Sequence, residues 1–366
     1  MTLNVEIEGQ VYENFTRAEV VRSMRSLLGS FSFEATANKA NVLPVKGNEQ
    51  VRILADGEVI MTGYADPLDV QYSASGHSIT ASGRDLAQDL VDSSVKGDKS
   101  FSGGTLSNLI EKVLLNLGLN LKVISNVTGL AAFDTIAAAT TSQKAYEFLE
   151  GYARKRQVLL NTDADSNIII VRGSTIPSGI VLNHVKNDIA LRNNILSANI
   201  GFDNTNRYNT YQARSNSNPG VGDIFAISDS PKEIVNVKNS AIDSKVRSTR
   251  YLEFEAEESM KAEDLGKRAQ WEANIRRANS FYYSCTVQGH RTDSGEIWEP
   301  NTLVVVNDEY MGLQTNLLIS DVTFSYDLSN GSTTRLDMTL PDAFSVQAEL
   351  DAISGNTQEL GFEFIL

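Results

Sequence analysis

Gly83-Arg84-Asp85-Leu86-Ala87-Gln88-Asp89-Leu90-Val91-Asp92-Ser93 is where a β-rich opening gives way to helical spacing. Leu86, Leu90 and Val91 fall on one side of a short helical turn, while Arg84, Asp85, Asp89 and Asp92 carry charge. The spacing predicts a short amphipathic turn that closes a β-module, with the charges on a solvated face. No catalytic constellation accompanies it, so Arg84, Asp85, Asp89 and Asp92 are candidates for a structural or interface role.

Upstream, Leu3, Val5 and Ile7 alternate, as do Phe31, Phe33 and Ala35 beyond a break at Leu27-Leu28-Gly29. Val51 and Ile53, the turn Asp56-Gly57, then Val59 and Met61 predict a hairpin. Val70 and Tyr72 followed by Ile79 and Ala81 predict another around Ser75-Gly76. Five or more short strands in this span indicate a small barrel or sandwich over 1–97.

Downstream, Leu106, Leu109, Ile110, Val113 and Leu117 follow a Thr cap and precede Gly118, which predicts a helix. Ser142 is expected to open a second helix carrying Ala145, Phe148, Leu149 and Tyr152 and ending in Arg154-Lys155-Arg156, where a helix terminus favours cations. Val158–Leu160 and Ile168–Val171 predict a hairpin, giving a small α/β module over 98–178.

Residues 179–345 form a third region. Within it, 203–250 is rich in Asn and Ser, with Asn218-Pro219-Gly220 and Ser230-Pro231 as breakers. It reads as an insertion between strands, either mobile or ordered against a partner. A long helix follows over 259–278, with Leu265, Ala269, Trp271 and Ile275 as its buried side. Glu257→Lys261, Glu263→Lys267, Asp264→Arg268 and Glu272→Arg276 are spaced for ion pairing. The tail 346–366 ends in apolar residues.

The chain has 366 residues and 41% hydrophobic content, enough for several cores. Its 46 acidic and 32 basic side chains leave a net charge of −14, which argues against wrapping duplex nucleic acid or an anionic membrane. Cys285 is the only cysteine, so no intrachain disulfide forms, and burial is expected for it. No segment is long and apolar enough for a membrane span, and the first residues lack a leader pattern; assembly in a cytoplasm is the expectation.

The last region echoes the first in order of events. Strand 31–37, Val51-Arg52-Ile53, an acidic turn, Val70 and Tyr72, then 79–81 have counterparts in 282–287, Leu303-Val304-Val305, Asp308-Glu309, then Val322, Phe324 and Tyr326, and finally Leu336, Met338 and Leu340. The fold expected is therefore α+β, mainly β: two similar small β-barrel modules, an intervening α/β module, and a long helix before the second barrel. Two such barrels per chain under threefold symmetry present six near-equivalent surfaces, which is what docking on a sixfold partner requires.

Gly83-Arg84-Asp85 followed by Asp89-Leu90-Val91-Asp92, directly after a strand, resembles the closing motif of the first barrel in the late control D, or baseplate hub, family of contractile phage tails. Trp298-Glu299-Pro300-Asn301, Val304-Val305-Val306, 317–322 and 331–336 resemble that family's last barrel, particularly in Mu-like phages. Arg268-Ala269-Gln270-Trp271-Glu272 resembles the helix before it, which adds Trp271 and Trp298 as structural candidates. The similarity runs over most of 1–345, thinly in 98–250, and Ser93 departs from the Cys or similar small residue expected there.

The resemblance implies a structural homotrimer in the virion tail baseplate, assembled in the host cytoplasm. It would join a hexameric tail tube protein to a trimeric puncturing spike and form part of the DNA passage, with wedge and tape measure proteins as further partners. Hubs of DNA-free contractile injection systems and tail-associated cell-wall hydrolases are the rival readings.

Enzyme chemistry finds little support. Asp163, Asp165 and Asn167 imitate half a calcium loop, but Ile168 stands where its turn glycine belongs and Ser174 where its bidentate Glu belongs. Gly97–Gly104 lacks the Lys-Ser/Thr of a phosphate loop, and Pro219-Gly220-Val221-Gly222 lacks a third glycine. His77, His184 and His290 stand apart, with His290 expected in an exposed loop. No cofactor, metal or sequence-specific nucleic acid is expected.

Overall fold

The computed structural model describes all residues except 1–2, 8, 13–14, 36–47, 67, 74–75, 131, 134–136, 157, 187–192, 217–235, 256–261 and 345–366. It comprises two compact units, one built on Met1–Asn199 and Tyr283–Met338, the other on Ile200–Tyr282 and the stretch from Thr339.

The first unit opens with eight strands: β1 (Leu3–Ile7), β2 (Gln10–Tyr12), β3 (Arg17–Ser23), β4 (Ser30–Ala35), β5 (Glu49–Ala55), β6 (Glu58–Ala65), β7 (Leu68–Ser73) and β8 (Gly76–Asp85). Alternation buries Leu3, Val5 and Ile7 of β1, Phe31, Phe33 and Ala35 of β4, and Val51, Ile53 and Ala55 of β5. Asp56 and Gly57 both take positive φ, the backbone a two-residue hairpin needs, and they join β5 to β6 where the sequence predicts. Strand β3 escaped the sequence reading because its buried face is only Ala18 and Val20 between charged neighbours.

The α/β module follows with α1 (Gln88–Asp92), β9 (Ser100–Phe101), α2 (Leu106–Leu117), β10 (Val123–Ser125), β11 (Ala137–Ala138), α3 (Ala145–Lys155), β12 (Leu159–Thr162) and β13 (Ile168–Val171). Thr105 and Asn108 form a reciprocal capping box on α2, and Gly118 ends it in the left-handed conformation. Helix α3 starts three residues later than the sequence suggests. Ser142 sits in a turn with φ 64°, and Lys144 precedes the helix without a side-chain cap. Leu90, Leu106, Ile110, Phe148, Leu149, Leu160 and Ile168 share one core.

Strands β14 (Pro177–His184) and β15 (Ile195–Phe202) lead into the second unit, which holds β16 (Thr210–Asn216), β17 (Asn236–Ile242), β18 (Tyr251–Glu255) and α4 (Ala262–Asn279). The stretch read as an insertion thus contains two paired strands, in the order β17-β16-β18; its breakers at 218–220 and 230–231 lie outside the described residues. Leu265, Ala269 and Ala273 of α4 pack on Tyr211, Ala213 and Ala241. Trp271 and Ile275, expected on the buried side, are only half-buried, whereas the stripe Leu265, Ala269 and Ala273 is buried against the sheet. Of the four predicted ion pairs, Glu272–Arg276 closes at 2.7 Å. The other three involve side chains outside the described residues, as does the tail 346–366.

The chain then returns to the first unit as β19 (Phe281–Gln288), β20 (Leu303–Asp308), β21 (Leu313–Asp327) and β22 (Gly331–Thr339). Among the described residues, the β-strands of both ends of the chain join one 14-stranded sheet ordered β15-β19-β22-β21-β3-β4-β8-β6-β5-β1-β2, with β7 on β8 and β14 on β20. The expected mainly-β architecture with helices stands, with four helices among the described residues, and no closure into two separate barrels is detected among them.

One regularity runs through this sheet. In the first module β1 pairs β5, β5 pairs β6, β7 pairs β8, β8 pairs β4 and β4 pairs β3. In the last module β14 pairs β20, β20 pairs β21, β21 pairs β22, β22 pairs β19 and β19 pairs β15. The order is the same if the single 15-residue β21 takes the place of β6 plus β7. One difference is that β14 runs parallel to β20, whereas β1 runs antiparallel to β5.

Candidate functional site

The Gly83–Ser93 stretch is a joint: Asp89 and Asp92 lie on the solvated side as expected, whereas Asp85 is buried. Gly83 and Gly63 lie where β8 leaves β6. A Cβ on Gly83 would sit 2.0 Å from the Tyr64 carbonyl oxygen and 2.4 Å from the Phe31 ring, so only glycine fits. Two residues on, Asp85 is 2% exposed. Its carboxylate accepts the Gly29 and Ala87 amides at 2.8 and 3.0 Å and the Thr162 hydroxyl at 2.8 Å. Burial pushes its pKa up to about 6, against the lowering effect of those donors.

Beside it, Ser166 is fully buried and donates to the Thr62 carbonyl at 2.6 Å, while its hydroxyl oxygen accepts the Leu86 amide at 3.1 Å. The Asn161 amide reaches the Ser23 and Ser26 carbonyls at 3.1 and 3.2 Å. Leu90 is completely buried in the α/β core. The motif therefore fastens the first β-module to the α/β module through the β12–β13 hairpin. The turn Asp163–Asn167, which imitates a calcium loop in sequence, folds as a hairpin turn. The Asp163 carboxylate accepts the Asp165 and Asn167 amides at 3.0 and 2.8 Å.

Arg84 and Asp92 meet at 2.5 Å on the exposed side of the joint. Asp92's hydrogen bond raises the Arg84 pKa, and Arg84 in turn lowers that of Asp92. Both are largely solvated, so the pair orients rather than stabilises. Asp89 is exposed and contributes its carbonyl to the Ser93 amide.

A second joint links the two β-modules. Strand β21 pairs antiparallel with β3 from Asp321↔Ser23 to Asp327↔Arg17. Around this seam Arg22 meets Glu299 at 2.6 Å, and Ser23 donates to Asp321 at 2.5 Å. Arg291 reaches Glu58 at 3.1 Å, in the hairpin after Asp56-Gly57. Trp298 is 3% exposed, and its amide donates to the His290 carbonyl at 3.3 Å.

His290 itself is fully buried, which corrects the exposed-loop expectation. The Thr334 hydroxyl donates to the Gly289 carbonyl at 2.6 Å, so the His290 Nδ1 at 3.2 Å acts as donor to Thr334. Burial lowers the imidazole pKa to about 4.

A further contact was missed in sequence. Tyr283 donates to Asp308 at 2.7 Å inside the last module, and Asp308 also accepts the Met311 amide at 3.1 Å. Asp308 lies at a strand end, where acidic residues ordinarily meet solvent. Cys285 is buried as expected, and burial pushes its thiol up to about 12. In the second unit, Trp271 stacks under the Arg268 guanidinium at 4.6 Å. Burial opposes ionisation of Glu272, but hydrogen bonds from Arg268 and Arg276 outweigh it and keep that carboxyl below its usual range.

Among the described residues no group of three or more His, Cys, Asp or Glu side chains could hold a metal ion. The six candidates thus fall at three separate places: the Asp85 joint, the seam under Trp298, and the α4 surface at Trp271.

Comparison with known proteins gives these joints a context. Residues 2–85 match the family model of the Mu phage baseplate assembly protein GpP-like N-terminal domain. Residues 87–172 match the second domain of the baseplate hub protein gp44-like family, and 261–347 match the fourth domain of Mu phage GpP. The first two matches meet at the Asp85 joint. Baseplate hub protein gp44 of Escherichia phage Mu is 26% identical over 358 residues, 96% of this chain and 90% of that protein. The 43 kDa tail protein of prophage MuSo2 from Shewanella oneidensis is 30% identical, with a TM-score of 0.80 over 94% of this chain and 99% of that one. A tail protein from Neisseria meningitidis MC58 has the same fold, with 20% identity and a TM-score of 0.79 over 94% and 99% of the two chains. With its β-modules, its joints and its matches in agreement along nearly the whole length, the chain belongs to the baseplate hub family of Mu-like phage tails, as a structural component of the virion baseplate.

Proposed function

We propose that the chain works as a homotrimeric symmetry adaptor, joining a hexameric tail tube to a trimeric spike and forming part of the DNA passage between them. The observation that carries this reading is the strand plan repeated in the first and last modules. A trimer of a chain holding two similar modules offers six similar faces, so one ring can meet a sixfold tube on one side and a threefold spike on the other.

The face of the sheet turned away from the core suits a passage. Ser325, Glu19, Ser32 and Ser82 stand opposite one another in a single row across β21, β3, β4 and β8. The hydroxyls and carboxylate of this row offer a passing polyanion little to bind, and the arginines on the same face, Arg17 and Arg84, are paired with Glu19 at 3.6 Å and Asp92 at 2.5 Å. Wedge and tape measure proteins complete the expected set of partners, with assembly in the host cytoplasm.

Projection images of the purified protein test the adaptor: rings with six density lobes around a central hole are expected. Rings with three well-separated lobes, or particles without a hole, contradict it.

A further inference from the structure

The loop 289–302, between β19 and β20, doubles back on itself as a short antiparallel ribbon. Arg291 bridges Ile297, the Thr292 amide donates to the Glu296 carbonyl at 2.7 Å, and the Trp298 amide to the His290 carbonyl at 3.3 Å. His290 and Trp298 therefore stand directly opposite one another, with both side chains on one face of the ribbon. That face is the inward one. His290 is fully buried, Trp298 is 3% exposed, and the imidazole meets the Phe324 ring in a T-shaped contact at 5.7 Å.

Residues of the other parity fasten the ribbon to the first β-module. Arg291 reaches Glu58 of β6 at 3.1 Å, and Glu299 reaches Arg22 of β3 at 2.6 Å. The two ends are held by backbone, through the Gly289 amide on the Ser332 carbonyl and the Asn301 amide on the Ile319 carbonyl, each at 2.9 Å. Between those anchors, residues 290–300 span the seam and depend on what their buried face can tolerate.

That face tolerates only a neutral imidazole. Nδ1 donates to Thr334, which leaves Nε2 a bare acceptor, and Nε2 has no hydrogen-bond partner. The Trp298 Nε1–H is buried without one as well. A proton added at Nε2 thus finds no acceptor, in surroundings that already hold an unpaired N–H. Of the charges acting on the ring, Asp56 in the β5–β6 turn favours the imidazolium and the chain's amino terminus opposes it, and burial outweighs both. An imidazolium gains its missing partner only by reaching water.

We infer that residues 290–300 form a proton-released clasp on the seam between the two β-modules, in which protonation of His290 frees the ribbon while the β21–β3 ladder stays closed. Opening separates Arg291 from Glu58 and Glu299 from Arg22, so acid loosens the outer fastening of the seam without parting its strands. The clasp belongs to the single chain and acts whatever the number of copies.

Hydrogen–deuterium exchange of the full-length protein, corrected for the intrinsic effect of pH, tests it. A ring that titrates at about 4 when buried and at 6.5 in water multiplies the open fraction of residues 290–300 by about 20 between pH 7 and pH 5. Amides in 17–23 and 321–327 are expected to change by less than about 2-fold over the same range. His290→Phe keeps an aromatic ring beside Phe324 and is expected to abolish the rise. Glu58→Gln combined with Glu299→Gln removes the carboxylates of the two ion pairs and is expected to preserve the rise from a faster starting rate.

A flat profile in the native protein overturns the clasp. So does a rise shared by the β21–β3 ladder, which is general loosening, and so does a rise that survives His290→Phe. Should that variant fail to fold, the double glutamine variant decides: loss of the rise there assigns it to the carboxylates and overturns the role of His290.

Discussion

The Asp85 carboxylate accepts the Thr162 hydroxyl at 2.8 Å, binding the last residue of β8 to a strand 77 positions later. The same hydroxyl lies 3.1 Å from the Leu27 carbonyl, and its one proton serves a single acceptor at a time. When Asp85 is ionised, Thr162 donates to it. When Asp85 is protonated, it can donate to Thr162, which then donates to Leu27. Protonation therefore satisfies more of the buried groups, consistent with a carboxyl pKa raised to about 6 by burial. Thr162→Val removes the link and is expected to cost about 1–3 kcal/mol, read from urea unfolding.

Asp85 and His290 should pull the pH profile in opposite directions. A folded carboxyl at about 6 against an unfolded value of 3.8 contributes stability that is present below about pH 4 and lost as pH rises through 6. A folded imidazole at about 4 against an unfolded value of 6.5 contributes stability that is present above pH 6.5 and lost as pH falls toward 4. The two effects are each on the order of 3 kcal/mol and largely cancel over that window. Asp85→Asn is expected to expose the acid-side loss, and His290→Phe the acid-side gain, in urea midpoints measured from pH 4 to 7. Parallel profiles for the two variants would contradict the assignment.

Leu90 and Asp92 sit two positions apart in the same motif, yet their roles differ. Leu90→Ala empties a fully buried site and is expected to cost about 2–5 kcal/mol. Asp92→Ala breaks a solvated ion pair and is expected to cost less than about 1 kcal/mol.

Gly83→Ala places a methyl against a backbone carbonyl and the Phe31 ring. Backbone cannot yield as a flexible side chain does, so a loss of about 3 kcal/mol is expected in thermal or urea unfolding, with the β6–β8 contact the first to open.

Glu19→Lys, on the polar row of the sheet, tests the passage. Placed in the phage, it is expected to slow DNA delivery, most strongly at low salt, while the purified protein keeps its native mass. Unchanged delivery kinetics would count against this face as the lining.

The local signals were legible in sequence, and the long-range ones were not. Alternation at Leu3–Ile7 and Phe31–Ala35, the Asp56-Gly57 turn, and the Thr105 and Gly118 caps act within a few residues, so their spacing reveals them. The burial of Asp85 depends on Gly29 and Thr162, which no spacing connects to it, so the motif read as a charged face. His290 misled for the same reason, since its cover comes from Thr334 and Phe324 on other strands. The insertion at 203–250 looked featureless because β16 and β17 bury little but Tyr211, Ala213 and Ala241. The echo between the ends of the chain was visible only as an order of events, and the seam between β21 and β3 is what gives that order a geometric use.

Native mass in solution, by sedimentation across a wide range of concentrations, tests the adaptor most directly. The account predicts three copies of the 40.0 kDa chain, stable on dilution. A monomer at every concentration, or a dimer or hexamer in place of the trimer, would contradict it.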